Sequence, residues 1–159
     1  ETIQPYMRNG VTILPGHAHR VSSVMQLNDQ RIVSGSWDNT LKVWDFNHAN
    51  GLRCVAILQG HTHWVHCVTE LKDGMNDGKI VSGSSDNTLK VWDLNHTNGP
   101  RCIATLQGHI QKVTSVTQLN NEKIISASSD RTLKVWDLDH EMVHDVLIHC
   151  RSIQVILTL

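Results

Sequence analysis

The sequence predicts an all-β chain made of three like units, each a small antiparallel sheet of four strands. Three observations carry that prediction. Two landmarks recur in step: Gly16-His17, Gly60-His61 and Gly108-His109, followed by Trp44-Asp45, Trp92-Asp93 and Trp136-Asp137. Between the landmarks apolar residues alternate with a period of two rather than 3.6. Turn-forming residues separate the apolar runs at matching places. The landmark separations are 28, 32 and 28 residues, and a polar, Gly-rich insertion over residues 72–78 explains the longer middle unit.

In the first unit Val21, Val24 and Leu27 mark one strand, and Asn28-Asp29-Gln30 turns the chain. Residues 31–36 form the second strand. Asp38-Asn39 makes a tight turn, because Asn and Asp tolerate left-handed backbone angles. Residues 40–44 alternate as the third strand, residues 48–51 form a loop, and residues 54–58 form the fourth strand, ahead of Gly60-His61. Residues 34–61 and 82–109 align without a gap and are identical at 22 of 28 positions, so both copies build the same local structure. Four short antiparallel strands per unit of forty-odd residues make one blade of a β-propeller.

The run Gly-His, then Ser-Gly-Ser-x-Asp-Asn-Thr-Leu-Lys-Val-Trp-Asp, resembles the Trp-Asp (WD) repeat family, and the resemblance covers roughly residues 11 to 138. It implies three four-stranded antiparallel blades of a WD-repeat β-propeller, an incomplete ring unless oligomeric or a fragment. It also implies a buried hydrogen-bonded chain in each blade. The matching positions are His17, Ser34, Asp38 and Trp44, then His61, Ser82, Asp86 and Trp92, then His109, Ser126, Asp130 and Trp136. The chemistry is coherent, since a buried carboxylate, imidazole and indole N–H must all find partners.

The whole chain, 1–159, reads as one propeller segment. Residues 11–14 match strand four of a preceding blade. Residues 16–58 form repeat 1, residues 60–106 repeat 2, and residues 108–138 the first three strands of repeat 3. Residues 139–159 are a divergent tail, in which either 146–150 or 153–159 supplies a closing strand. Propellers close with roughly four to eight blades, so three leave open edges. Two readings of the open arc stand side by side. The start at Glu1 and the degenerate tail favour a piece of a longer propeller. The other reading is a homodimer, two copies joined head to tail in a six-bladed ring.

Propeller function lies on one face, in loops and turns held by the blades. In the family the residue before the turn Asp, and the residue before the first Val of each unit, line that face. Here these are Trp37, Ser85 and Ser129, and Arg20, Trp64 and Lys112. They vary between otherwise near-identical copies. Trp37 and Trp64 stand out because neither belongs to a Trp-Asp pair: an exposed Trp anchors a partner or stacks on Arg, and the equal alternative is that each covers part of a neighbouring blade. The repeats are also similar to the propellers of F-box ubiquitin-ligase substrate receptors, some of which read phosphorylated peptides through Arg. Arg131 stands in a matching place, but Asn39 and Asn87 replace Arg in the other copies, which favours a solvated surface charge at this position.

Composition narrows the function classes. Net charge is −1 with both signs interspersed, which excludes an electrostatic footprint for nucleic acid or a membrane surface. No apolar run reaches the length of a membrane span. Cys54, Cys67, Cys102 and Cys150 form no disulfide pattern, so the expected setting is reduced and cytoplasmic. The cluster His61-Thr62-His63 with His66 looks like a metal site, but His61 belongs to the blade network and His63 and His66 point apart on a strand. Cys54 and Cys102 share one repeat position and read as small buried hydrophobes rather than duplicated nucleophiles. No Gly-x-Ser-x-Gly elbow or phosphate-cradling loop occurs. The expectation is therefore a scaffold or adaptor that binds other proteins or peptides, with no catalytic residue, metal or cofactor. The alternative is the substrate-recognition or regulatory portion of a larger enzyme, such as a ubiquitin ligase, kinase or nucleotide-binding signalling protein.

Overall fold

The computed structural model describes residues 6–47, 51–72, 78–119 and 123–138. Among them every regular element is a strand, and all pairings are antiparallel. The all-β class expected above is the one the chain adopts. Strands β3 (Val21–Gln26), β4 (Ile32–Ser36), β5 (Leu41–Asp45) and β6 (Arg53–Leu58) form blade 1 in chain order. Strands β7 (Val65–Glu70), β8 (Lys79–Ser84), β9 (Leu89–Asp93) and β10 (Arg101–Leu106) form blade 2. Strands β11 (Val113–Gln118), β12 (Lys123–Ser128) and β13 (Leu133–Asp137) form a three-stranded blade 3. The tail 139–159 lies outside the described residues.

A separate hairpin precedes blade 1. β1 (Tyr6–Arg8) pairs with β2 (Val11–Ile13). Asn9 and Gly10 take φ of 51° and 74°, both in the left-handed region that a two-residue hairpin turn requires.

The core lies between blades. Strand alternation gives each sheet two apolar faces. Val33, Leu41, Val43 and Leu58 of blade 1 meet Val65, Ile80 and Trp92 of blade 2. Val81, Leu89, Val91 and Leu106 of blade 2 meet Val113, Val116, Ile124 and Trp136 of blade 3 in the same way. Each such side chain contributes roughly 1.5–3 kcal/mol on full burial, so the interblade layers are the main source of stability. Close approach depends on two glycines. A Cβ at Gly35 would lie 2.8 Å from Val65 Cγ1, and one at Gly83 would lie 2.7 Å from Val113 Cγ1.

The sheets do not close into a ring among the described residues. Exposure shows where the arc is open. Val21 is 51% exposed, whereas its counterparts Val65 and Val113 are fully buried. Leu133 is 51% exposed, whereas Leu41 and Leu89 are fully buried. Beside blade 1 the uncovered face lines a groove of about 300 Å³ with Leu14, Val21, Val24, Ile32 and Trp44. No helix of the described residues is long and apolar enough to cross a membrane.

Candidate functional site

A chain of four side chains holds each blade together. In blade 1 the Trp44 Nε1–H donates to Ser34 Oγ at 2.9 Å, Ser34 Oγ meets His17 Nε2 at 2.7 Å, and His17 Nδ1 meets Asp38 Oδ2 at 2.8 Å. In blade 2 the sequence Trp92, Ser82, His61, Asp86 runs at 2.8, 2.8 and 2.7 Å. In blade 3 Trp136, Ser126, His109 and Asp130 repeat it at 2.8, 2.8 and 2.7 Å. One tautomer satisfies every member: Nδ1–H donates to the carboxylate, Nε2 accepts the serine O–H, and Ser Oγ accepts the indole N–H.

The Asp at the end of each chain also folds the turn between the second and third strands. Asp86 Oδ1 accepts Thr88 N–H and Oγ1–H, while Oδ2 accepts Thr62 N–H. Burial works against charging Asp86, but the hydrogen bonds of His61 and Thr88 outweigh it and hold the carboxyl well below its ordinary 3.8. In Asp38 and Asp130 the same contest ends the same way, with Thr40 and His17, and Thr132 and His109, as the donors.

That turn also ties the candidate partner-binding residues together in pairs. The backbone N–H of Trp37 donates to the Arg20 carbonyl at 2.9 Å, that of Ser85 to Trp64 at 2.8 Å, and that of Ser129 to Lys112 at 3.1 Å. Each turn residue is thus tied to the loop residue of its own blade. Across the blade 1–blade 2 boundary, Trp37 and Trp64 stack with ring centroids 4.1 Å apart and planes 4° apart. The Arg20 guanidinium lies 4.9 Å from the Trp37 ring, in cation–π range. Four of the candidate residues, Arg20, Trp37, Trp64 and Ser85, therefore meet in one patch. Lys112 and Ser129 belong to blade 3. Arg131 is exposed, at φ 69°, where Asn39 and Asn87 take 70°. An arginine is less at ease than an asparagine in that left-handed conformation.

Two members of the patch did not stand out as face residues in the sequence. His19 stacks on Trp37 at 5.8 Å, and His66 meets the edge of Trp37 at 6.5 Å. His66 Nε2 also lies 2.6 Å from Ser85 Oγ. Burial, reinforced by Lys112 and His63, lowers the pKa of His66 from its ordinary 6.5. His19 adjoins Arg20 and His66 lies two residues after Trp64, but in the sequence His66 groups with His61 and His63 as the semblance of a metal site. His61 is committed to its blade, His63 Nδ1 accepts the Trp64 N–H at 2.8 Å, and among the described residues no three metal-binding side chains converge.

The cysteines require a correction. Cys54 and Cys102 are not the buried hydrophobes expected: Cys54 is half-buried and Cys102 exposed, on strands at the outer edge of their blades. Cys67, on the first strand of blade 2, is half-buried as well, and desolvation pushes its thiol up to about 12.

The model for the WD domain, G-beta repeat family matches residues 9–45, 52–93 and 100–137. The F-box/WD repeat-containing protein sel-10 of Caenorhabditis elegans is 50% identical over 44 residues, 27% of this chain and 8% of that protein. The F-box/WD repeat-containing protein 7 of Drosophila melanogaster is 50% identical over 50 residues, 31% of this chain and 4% of that protein. The nuclear distribution protein PAC1 of Arthroderma otae is 38% identical over 73 residues, 40% of this chain and 15% of that protein. The chain matches only a small part of each relative's length. With more than half of its residues inside the family match, and the blades and their repeated hydrogen-bonded chains as described, the chain belongs to the WD domain, G-beta repeat family.

Proposed function

We propose that the chain is a non-catalytic scaffold or adaptor module, working in a cytoplasmic setting, that binds a peptide or protein domain on the face carrying Arg20, Trp37, Trp64, Ser85, Lys112, Ser129 and Arg131. The observation that carries this reading is the Trp37–Trp64 stack with Arg20 against it. Trp64 is 37% exposed although it is rigidly held, and rigid, partly exposed Trp and Arg side chains are the groups that dominate binding energy at interfaces. The similarity to F-box/WD repeat proteins supports a second form of the same reading, in which this face is the substrate-recognition portion of a larger enzyme. For assembly, a second copy of the chain is the alternative partner. The uncovered Val21–Val24 face of one copy matches in chemistry the Leu133 face of another.

The face is tested by selecting binders to the 159-residue chain from a random peptide library. Arg20→Ala and Trp64→Ala should each weaken the selected peptides about tenfold or more, as anchor residues do. Unchanged affinity in both variants, with native unfolding curves, would place the binding surface elsewhere.

A further inference from the structure

The three copies of the face are built on one backbone plan but are filled differently. In blade 1 the turn residue Trp37 bridges two loop residues: Arg20 of its own blade, 4.9 Å from its ring, and Trp64 of the next, stacked at 4.1 Å. Blade 2 repeats the plan. Ser85 takes the place of Trp37, with the same backbone bond to the loop residue of its own blade. The pair it would bridge is Trp64 and Lys112. A serine hydroxymethyl is far too short to do so. Its Oγ is instead met by His66 Nε2 at 2.6 Å. Trp64 is stacked by Trp37 at 4.1 Å and met edge-on by His63 at 5.0 Å, and it remains 37% exposed. The repeat thus puts a serine in blade 2 at the turn position where blade 1 carries an indole, between the loop residues Trp64 and Lys112.

We propose that this place receives an aromatic side chain, Trp or Tyr, from the bound partner. The guest ring continues the stack, lying against Trp64 as Trp37 does on its other side. The Lys112 ammonium takes the role that Arg20 plays for Trp37, a cation over a π face. The His66 and Ser85 side chains, hydrogen-bonded to each other at 2.6 Å, offer polar atoms suited to an indole N–H or a phenol O–H. Trp37 itself has a buried Nε1 without a hydrogen-bond partner among the described residues. The proposal rests on the reading of this face as the partner-binding surface and names what the partner must bring to it.

The test uses the full 159-residue chain and N-acetyl-L-tryptophanamide as the probe, followed by NMR. The indole N–H of Trp64 and the amide of Ser85 should shift saturably, while the indoles of Trp92 and Trp136 stay in place. Ser85→Trp fills the place from within and should weaken the probe about two- to tenfold, the range expected for losing an aromatic stack. Should that variant fail to fold, Ser85→Phe serves the same purpose. Trp64→Ala should remove the shifts at Ser85. No saturable shift at Trp64, or shifts that persist unaltered in the folded Ser85 variants, would overturn the proposal. The library-selected peptides separate this failure from failure of the face. If Arg20→Ala and Trp64→Ala weaken those peptides while Ser85→Trp binds them like the parent, the face stands and the slot is wrong. If Ser85→Trp loses both probe and peptides, the slot stands.

Discussion

Asp86 shows what a single residue does in this fold. Its carboxylate meets four donor groups: His61 Nδ1 and Thr62 N–H at one oxygen, and Thr88 N–H and Oγ1–H at the other. It therefore closes the turn and anchors the chain that reaches Trp92. Asp86→Ala leaves these donors without an acceptor and should cost on the order of 1–3 kcal/mol, read from urea or thermal unfolding. The charge matters as well. The folded carboxyl titrates below its ordinary value of 3.8, so its contribution is fully present above that pH and is lost as the pH falls beneath it. Asp38 and Asp130 are shifted in the same direction, so the three blades share one acid weakness. Asp86→Asn should flatten the loss of stability below about pH 4. An acid dependence identical to the parent's would show that the charge of Asp86 is not what the blade relies on.

Between elements, the ends of the innermost strands are clamped to the neighbouring blade. Gln118, at the end of β11, accepts the Lys72 N–H through Oε1 at 2.7 Å and donates to the Lys72 carbonyl through Nε2 at 3.1 Å. Glu70 holds the same repeat position at the end of β7, and its Oε1 accepts the Asn28 N–H at 3.0 Å. Its Oε2 stands where Gln118 has a donating nitrogen; it is buried, makes no hydrogen bond among the described residues, and has Lys72 Nζ at 3.8 Å. Glu70→Gln should supply the missing donor and stabilise the chain by about 1 kcal/mol at neutral pH, seen as a raised unfolding midpoint. A lowered midpoint would mean that the Lys72 ion pair outweighs the clamp. No single-strand pattern reveals these clamps, because the partners are 42 and 46 residues apart and meet only once the blades are adjacent. The same limit hid the Trp37–Trp64 stack, although their break from the repeat pattern marked both residues as unusual. By contrast, the strands and turns of each blade were legible, since alternation and Asp-Asn turns are local properties. The hairpin partner β1 was missed although Asn9-Gly10 announces a turn. It is three residues long, and only β2 had a repeat counterpart to compare it with.

Across the whole molecule, the open arc raises the question of what two copies would do if they met end to end. The uncovered face of blade 1 carries Val21, Val24 and Ile32, the kind of surface that blades 2 and 3 bury. Blade 3 offers Leu133 in return. Chemistry favours the meeting, but two details of shape oppose it. Within the chain, Gly35 admits Val65 and Gly83 admits Val113, each Val methyl lying within 3 Å of where a Cβ would be. The third unit has Ala127 at that position, so Val21 of a second copy would meet a real Cβ at a distance that forces one of them to move. β1 is the second obstacle. Residues 11–17 align with the end of β6 and the loop after it; with β2 taken as a fourth strand, β1, paired to it, takes the third place. A second copy brings its own third strand, β13, to the same place. Association of the parent chain should therefore be weak. Ala127→Gly removes the steric conflict, worth about 1–3 kcal/mol of overpacking, and should tighten association at least several-fold by light scattering across a concentration series. Ala127→Val should weaken it. Removing residues 1–8 together with Ala127→Gly lifts both obstacles and should give the tightest pairing of the set. If Ala127→Gly leaves the concentration dependence of the mass unchanged, blades 1 and 3 do not meet as the internal blades do, and their exposed faces await blades of a different sequence.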